Sequence, residues 1–467
     1  MKEEKLEEAN TVFAGTGVNV TTEGRKYLGG FVGTREGAIQ YVNELQEEWL
    51  EQLQVLTEVA KAEPQSAYAS FTSGFRHKVT YFMRTIPDLE EVLVPLDKFI
   101  DEQFIPAITD GHVLSKDDRS LLSLPVRLGG LGIPIFSKSC SKEFEYSLKA
   151  TSTLRQNIVA QDPVYVHNKR EENRIEAEIK NERKKMDEDL LKDPRSRMSQ
   201  DKLRGNDLAQ MKGASAWLTS LPLKDEGYVL TKREFFDALC LRYRWNLKRL
   251  PINCGGCGKK FNVDHALQCP NGGFIHRRHD QMRDLFAGLL NEVCYGVQTE
   301  PQLEPISGEV LPPSSNLQDE ARLDIVALGF WQKYEKALFD VKVFNPFAQS
   351  YFRQNLESVF RQNEKQKKTA YNPRVIQIEH ATFSPIVMSA MGGFGKETEK
   401  FVSRLIHLQA EKRGIIPSVT ANYIRTKISF QLIRSQVACI RGSRSIKSVP
   451  IDSAEMELCT NAATIKE

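Results

Sequence analysis

The chain has 467 residues, of which 40% are hydrophobic and 27% charged, with a formal net charge of +3. That length exceeds what one core usually holds, so several domains are expected, and the near-balanced charge excludes a global field as the source of any polyanion affinity. Eight cysteines are too few for a disulfide framework in so long a chain, no run approaches the ~18 apolar residues of a membrane span, and the charged start Met1-Lys2-Glu3-Glu4-Lys5 is not a secretory signal.

In chain order, residues 1–35 read as a short helix and a hairpin, with Val18 to Thr21 as one strand, Glu23-Gly24 as the turn and Tyr27 to Val32 returning. Residues 36–62 space Val42, Leu45, Trp49, Leu53 and Leu56 by threes and fours, the mark of an amphipathic helix. Pro64 interrupts it. Helical pattern continues to about Thr109, broken at Pro87; Leu124 to Gly132 is a loop, and helix resumes from Glu143 to Gln156. From Asn168 to Asp207 the charges interleave, as in a solvated helix or flexible spacer without chemistry of its own. Apolar periodicity returns over 211–250 through Trp217, Leu218, Leu221, Phe235, Phe236 and Leu239, a packed lead-in to the segment that follows.

Cys254-x2-Cys257-x7-His265-x3-Cys269 supplies the four ligands of a closed tetrahedral zinc site. Gly255, Gly256 and Gly258 give the first pair the backbone freedom to aim two thiolates at one ion, and His265 and Cys269 share one face of a helical turn. His276 and His279 lie close by, but a structural site needs only four ligands. The other five cysteines (Cys140, Cys240, Cys294, Cys439, Cys459) have no such neighbours.

Beyond the knuckle the order is helix, three strands, helix, strand. Residues 276–293 are an amphipathic helix; Val297 to Leu303, Arg322 to Leu328 and Lys336 to Phe344 are strands; Tyr351 to Lys368 is a helix and Arg374 to Glu379 a fourth strand. Two of the apolar strands each carry a carboxylate, which is costly unless paired or holding a cation. Period-two alternation puts Asp340 and Lys342 on one face, and a neighbouring strand would bring Asp324 to the same face. Such a set suits phosphodiester hydrolysis: Asp324 and Asp340 for Mg2+ or Mn2+, and Lys342 to orient water or offset charge on the phosphate. Glu300 and Glu292 are both candidates for a third acidic ligand. The bland alternative is an Asp340–Lys342 pair at a sheet edge with Asp324 solvated.

Asp324…Asp340-Val341-Lys342 resembles the PD-(D/E)xK restriction-endonuclease signature, with Leu323 where proline is frequent. With the CCHC knuckle and Arg278-His279-Asp280 upstream, it resembles the C-terminal region of non-LTR retrotransposon proteins that carry a restriction-like endonuclease. Thr22 to Gly30 resembles the hairpin closing a reverse-transcriptase palm, and the helices through Ile133 resemble the thumb. The sole Asp-Asp pair, Asp117-Asp118, falls in a polar loop after those helices, and the chain looks like a truncated piece of a larger element protein. The resemblance implies a multidomain chain: a palm-hairpin remnant (1–35), a thumb-like, mainly α domain (36–157), a charged linker (158–210), a lead-in with the zinc knuckle (211–275), an α/β restriction-endonuclease-like core (276–415) and a basic helical tail (416–467). It also implies DNA nicking in the nucleus for target-primed reverse transcription, with target DNA and the element's RNA as partners and no polymerase activity from this chain. Candidate phosphate contacts are Arg277, Arg278, Arg283, Lys365, Lys367, Lys368 and Tyr371, with Arg434, Arg441, Arg444 and Lys447 in the tail. Two other readings compete: a nucleic-acid-binding remnant without catalysis, and an interaction protein built on the charged helix at 168–207.

Overall fold

In the computed structural model, which describes residues 3–161 and 168–444, the first hairpin is formed by β1 (Gly24–Tyr27) and β2 (Gly30–Gly33). The register differs from the one expected. Leu28 and Gly29 both have positive φ, 48° and 83°, so they form the tight two-residue turn that suits a twisted hairpin, and Gly24 starts a strand instead of turning the chain.

The chain divides into two units, Met1–Trp245 and Asn246–Glu467. The division falls inside the stretch expected to lead into the knuckle, so the helices at 211–243 belong to the first unit. No helix among the described residues is long and apolar enough to cross a membrane.

The first unit is helical apart from the hairpin. Helix α1 (Arg35–Ala62) buries Val42, Trp49 and Leu53, and the Trp49 ring lies 5.2 Å from that of Phe82. In α2 (Lys116–Ser123) the Asp117-Asp118 pair occupies the first turn, where Ser115 and Asp118 form a capping box. It is a helix start and not the expected loop. Helices α3 (Phe136–Ala150) and α4 (Lys169–Ser196) pack together. Ile175 and Ile179 of α4 bury against Tyr146, while Arg183 binds both carboxylate oxygens of Glu143 at 2.6 and 2.7 Å and lies over the Tyr146 ring. The charged segment expected as a linker is therefore a docked helix, since two isoleucines one turn apart supply the apolar stripe that its charges mask.

In the second unit, α5 (Phe274–Asn291) precedes β3 (Tyr295–Thr299), β4 (Ile325–Leu328) and β5 (Lys336–Phe344). Helix α6 (Leu356–Gln377) crosses to β6 (Thr382–Ser389), and α7 (Lys396–Arg413) and α8 (Pro417–Arg441) follow. The strands run in the order β3-β4-β5-β6, antiparallel up to β5 and parallel between β5 and β6. The succession of helix, three strands, helix and strand matches the sequence expectation, but the last strand lies later than expected. Residues 374–379 end α6 and its exit turn, because the buried Arg374 ties that turn down by donating to the carbonyls of Glu304, Asn316 and Gln318. Those bonds override the interruption expected of Pro373.

Alternation gives the sheet two covered faces. Ile325, Ala327, Phe339, Val341, Ile386 and Met388 pack against α5, α7 and α8. Val326, Leu338 and Phe383 pack against Val375 of α6. Helix α8, expected in a basic tail, inserts Ile424, Ile428 and Leu432 into the first of these cores.

Candidate metal knuckle and acidic sheet face

The knuckle begins with a backbone clamp: Cys254 N donates to Lys259 O and Gly258 N to Cys254 O, each at 2.8 Å. Gly258 has φ 72°, and a Cβ on Gly256 would meet Asn271 at 2.8 Å, so two of the three glycines are required by geometry. The Asn262 side chain caps a short helix (Val263–Ala266) by accepting from His265 N, which aims the imidazole back at the first cysteine pair. The ligand atoms of Cys254, Cys257, His265 and Cys269 all lie within 4.8 Å of one another. Sγ of Cys254 and Cys269 are 3.8 Å apart, those of Cys257 and Cys269 3.9 Å, and Cys257 Sγ is 3.4 Å from His265 Nε2. Thiolates about 2.3 Å from a tetrahedral zinc would be about 3.8 Å apart. Burial pushes the Cys254 thiol up, but hydrogen bonds from His265 and from backbone N–H groups outweigh it and bring the pKa down to about 6, toward the thiolate a metal needs. The four residues form a Cys3His cluster able to bind a metal such as zinc.

Arginines pin this knuckle to the sheet. Arg278, next to His279 on α5, is buried, and its guanidinium donates to Leu267 O just beyond the knuckle helix and to Val343 O near the end of β5. Arg444 lies between the rings of Phe274 and Phe261 and donates to Ala266 O. Neither guanidinium, both expected at phosphates, is free to make that contact.

On the α6 side of the sheet, Asp340 and Lys342 of β5 share a face with Asp324, which immediately precedes β4. Asp324 Oδ2 accepts from Val341 N at 2.5 Å and from His279 Nε2 at 3.1 Å, while His279 Nδ1 faces Asp280 at 3.3 Å. The hydrogen bond to Asp324 raises the His279 pKa to about 9 against the opposing effect of burial. Asp340 is buried, with Lys367 Nζ of α6 at 2.7 Å from Oδ2. Burial, with the Asp324 charge added, lifts its carboxyl to about 6 although Lys367 pulls the other way. Lys342 Nζ donates to Gln366 Oε1 at 2.9 Å; burial, then the charge of Lys367, pushes its ammonium below the ordinary lysine range. A cleft of about 400 Å³ opens here, lined by His279, Lys342, Gln366, Lys367 and Tyr371.

The remaining candidates are placed elsewhere. Glu300 follows β3 with φ 53°, and its carboxylate is held by Arg283 and lies 4.0 Å from Arg322. Glu292, at the far end of α5, binds Gln409 and Arg413. Arg283 is also paired with Asp280 and Asp284, and Lys368 with Glu397 at 2.8 Å. Arg277 and Lys365 are exposed and form no ion pair among the described residues. Arg441 caps the carbonyls of Lys248 and Arg249, and Lys447 lies outside the described residues. The sequence reading missed the part His279 plays at Asp324, and it expected Lys367 at a phosphate, not on Asp340. The helical spacing of Gln366, Lys367 and Tyr371 was the available signal for one α6 face meeting β5.

No protein-family model matches the sequence, and no curated protein matches it significantly.

Proposed function

We propose that the second unit is a divalent-metal-dependent DNA endonuclease of the restriction-like type, part of a retrotransposon-derived protein acting on chromosomal DNA in the nucleus. One observation carries the reading: Asp324, just before β4, and Asp340 of the neighbouring β5 share a sheet face with Lys342, beside a cleft of about 400 Å³. The carboxylates fit a hard cation. The Asp324 charge works against ionisation of the buried Asp340, which a cation between them would relieve, and Lys367 Nζ at 2.7 Å from Oδ2 already supplies one positive charge there. Asp324 and Asp340 would hold Mg2+ or Mn2+, which would polarise the scissile phosphate and acidify a bound water. Lys342, with an ammonium already destabilised by burial, is the group to orient that water or meet charge developing on the phosphate. Lys367 balances Asp340, and His279 fixes the Asp324 carboxylate. In the knuckle, Cys254, Cys257, His265 and Cys269 would hold zinc in a structural role. The first unit we read as the thumb-like portion of a reverse transcriptase, with the element's RNA as a further partner.

A second reading, nucleic-acid binding without catalysis, is favoured by one fact. Among the described residues the Cys3His cluster is the one group of three or more His, Cys, Asp or Glu gathered closely enough for a metal, and both aspartates already face cationic side chains. Plasmid nicking separates the two readings. With Mg2+ or Mn2+ the parent should convert supercoiled to nicked circles, and Asp324→Ala and Asp340→Ala, shown folded by circular dichroism, should not. A parent inert with every divalent metal leaves the binding reading standing.

A further inference from the structure

A second and larger cleft, of about 1030 Å³, lies between the knuckle and the segment that joins β5 to α6. One wall carries Lys259, Lys260, Asp264 and Gln268; the other carries Gln349, Phe352 and Arg353. Lys259, Lys260 and Arg353 are exposed, and no carboxylate among the described residues forms an ion pair with any of the three. Arg283, Lys367, Lys368 and Arg413 of the same unit are matched by acids, whereas the three cations of the cleft face one carboxylate on its walls, Asp264, and leave it net positive. Phe352 is half-buried on its wall, and Gln268 and Gln349 add amide donors and acceptors. Excess cations that track a backbone, an aromatic face to stack on and amides to meet base edges are what a single-stranded nucleic acid needs. Rigid duplex keeps its bases stacked inside and offers nothing to Phe352.

We propose that this cleft binds a single-stranded stretch of nucleic acid, with Lys259, Lys260 and Arg353 at phosphates and Phe352 under a base. The proposal rests on the endonuclease reading for its biological sense, since a nicked duplex exposes such a strand, but the binding itself needs no cleavage.

The test is fluorescence anisotropy of a labelled, unstructured 20-nucleotide DNA with the full-length, metal-replete protein and no added divalent cation. The parent should bind, with affinity falling steeply as salt rises. Arg353→Glu should weaken binding at least tenfold, and Lys259→Glu with Lys260→Glu should do the same at unchanged zinc content. Phe352→Ala should weaken it about five- to hundredfold with little change in the salt slope. Because the lysines sit within the knuckle, Arg353→Glu, distant from it in sequence, guards against a folding artefact. Parent-like binding by Arg353→Glu and Phe352→Ala would overturn the proposal, as would a parent preference for duplex that these changes remove. Plasmid nicking by the same preparations keeps the two ideas apart. An inert parent that binds the oligonucleotide through these residues sinks the nuclease alone, and an active parent with binding insensitive to them sinks the cleft alone.

Discussion

Asp340 and His279 show how the same fold shifts two groups in one direction for opposite reasons. Burial raises the carboxyl to about 6, and pairing with Asp324 raises the imidazole to about 9. For His279 the linkage has a definite sign: its folded pKa lies above the ordinary 6.5, so the folded state binds the extra proton between those values. The stability from this contact is fully present below about pH 6.5 and is lost as pH rises through about 9. Thermal unfolding without added divalent cation should show the parent losing stability across that window and His279→Gln losing less; parallel curves would count against the contact. At Lys342, replacement by alanine should slow nicking by about two to four orders of magnitude, the range for one positioned acid–base or electrostatic group, with DNA affinity changed far less. A loss confined to affinity would make Lys342 a phosphate anchor only.

Among the elements, the knuckle depends on its ligands and on two buried arginines. Cys269→Ser should lose the metal and expose residues 250–275 to proteolysis ahead of the rest, because structural zinc supplies folding energy; elemental analysis beside limited digestion reads both, and retained metal would break the ligand assignment. Arg278→Ala removes the donors of two carbonyls and leaves a cavity, at a cost of about 2–5 kcal/mol, measurable by urea denaturation. How much of this was legible in the sequence follows from where the signals lie. The ligand spacing is local and read directly, as is β5, whose nine residues form one largely buried, mostly apolar run. The end of α6 was not legible, since Pro373 argues locally for a break, and only tertiary bonds from Arg374 to a loop some 60 residues away hold the exit. The roles of Arg278, Arg444 and Lys367 were equally hidden: a basic residue on a surface and one buried against carbonyls or a carboxylate have the same letter, and composition favours the surface.

For the whole molecule, the two units carry separate cores, and the hydrophobic clusters of the sheet draw only on residues after 246. A fragment of residues 246–467 should therefore fold, bind one zinc and keep whatever nicking activity the parent shows. The first unit should extend no primer on an RNA template: Asp117 is held by Arg197 at 2.7 Å and Asp118 by Lys202 at 2.9 Å within a helix cap, which leaves no paired carboxylates for two metal ions. Primer extension above background by the purified chain would refute this. Arg278 grips the knuckle and β5 at once, and its neighbour His279 grips Asp324. Any coupling that these adjacent residues carry between zinc in the knuckle and a cation on the acidic face must be reciprocal. Whatever zinc does to the affinity of the acidic face for a cation, a cation seated there should do in the same measure to the affinity for zinc, so equilibrium competition with a chelator becomes a reporter of occupancy at the distant carboxylates.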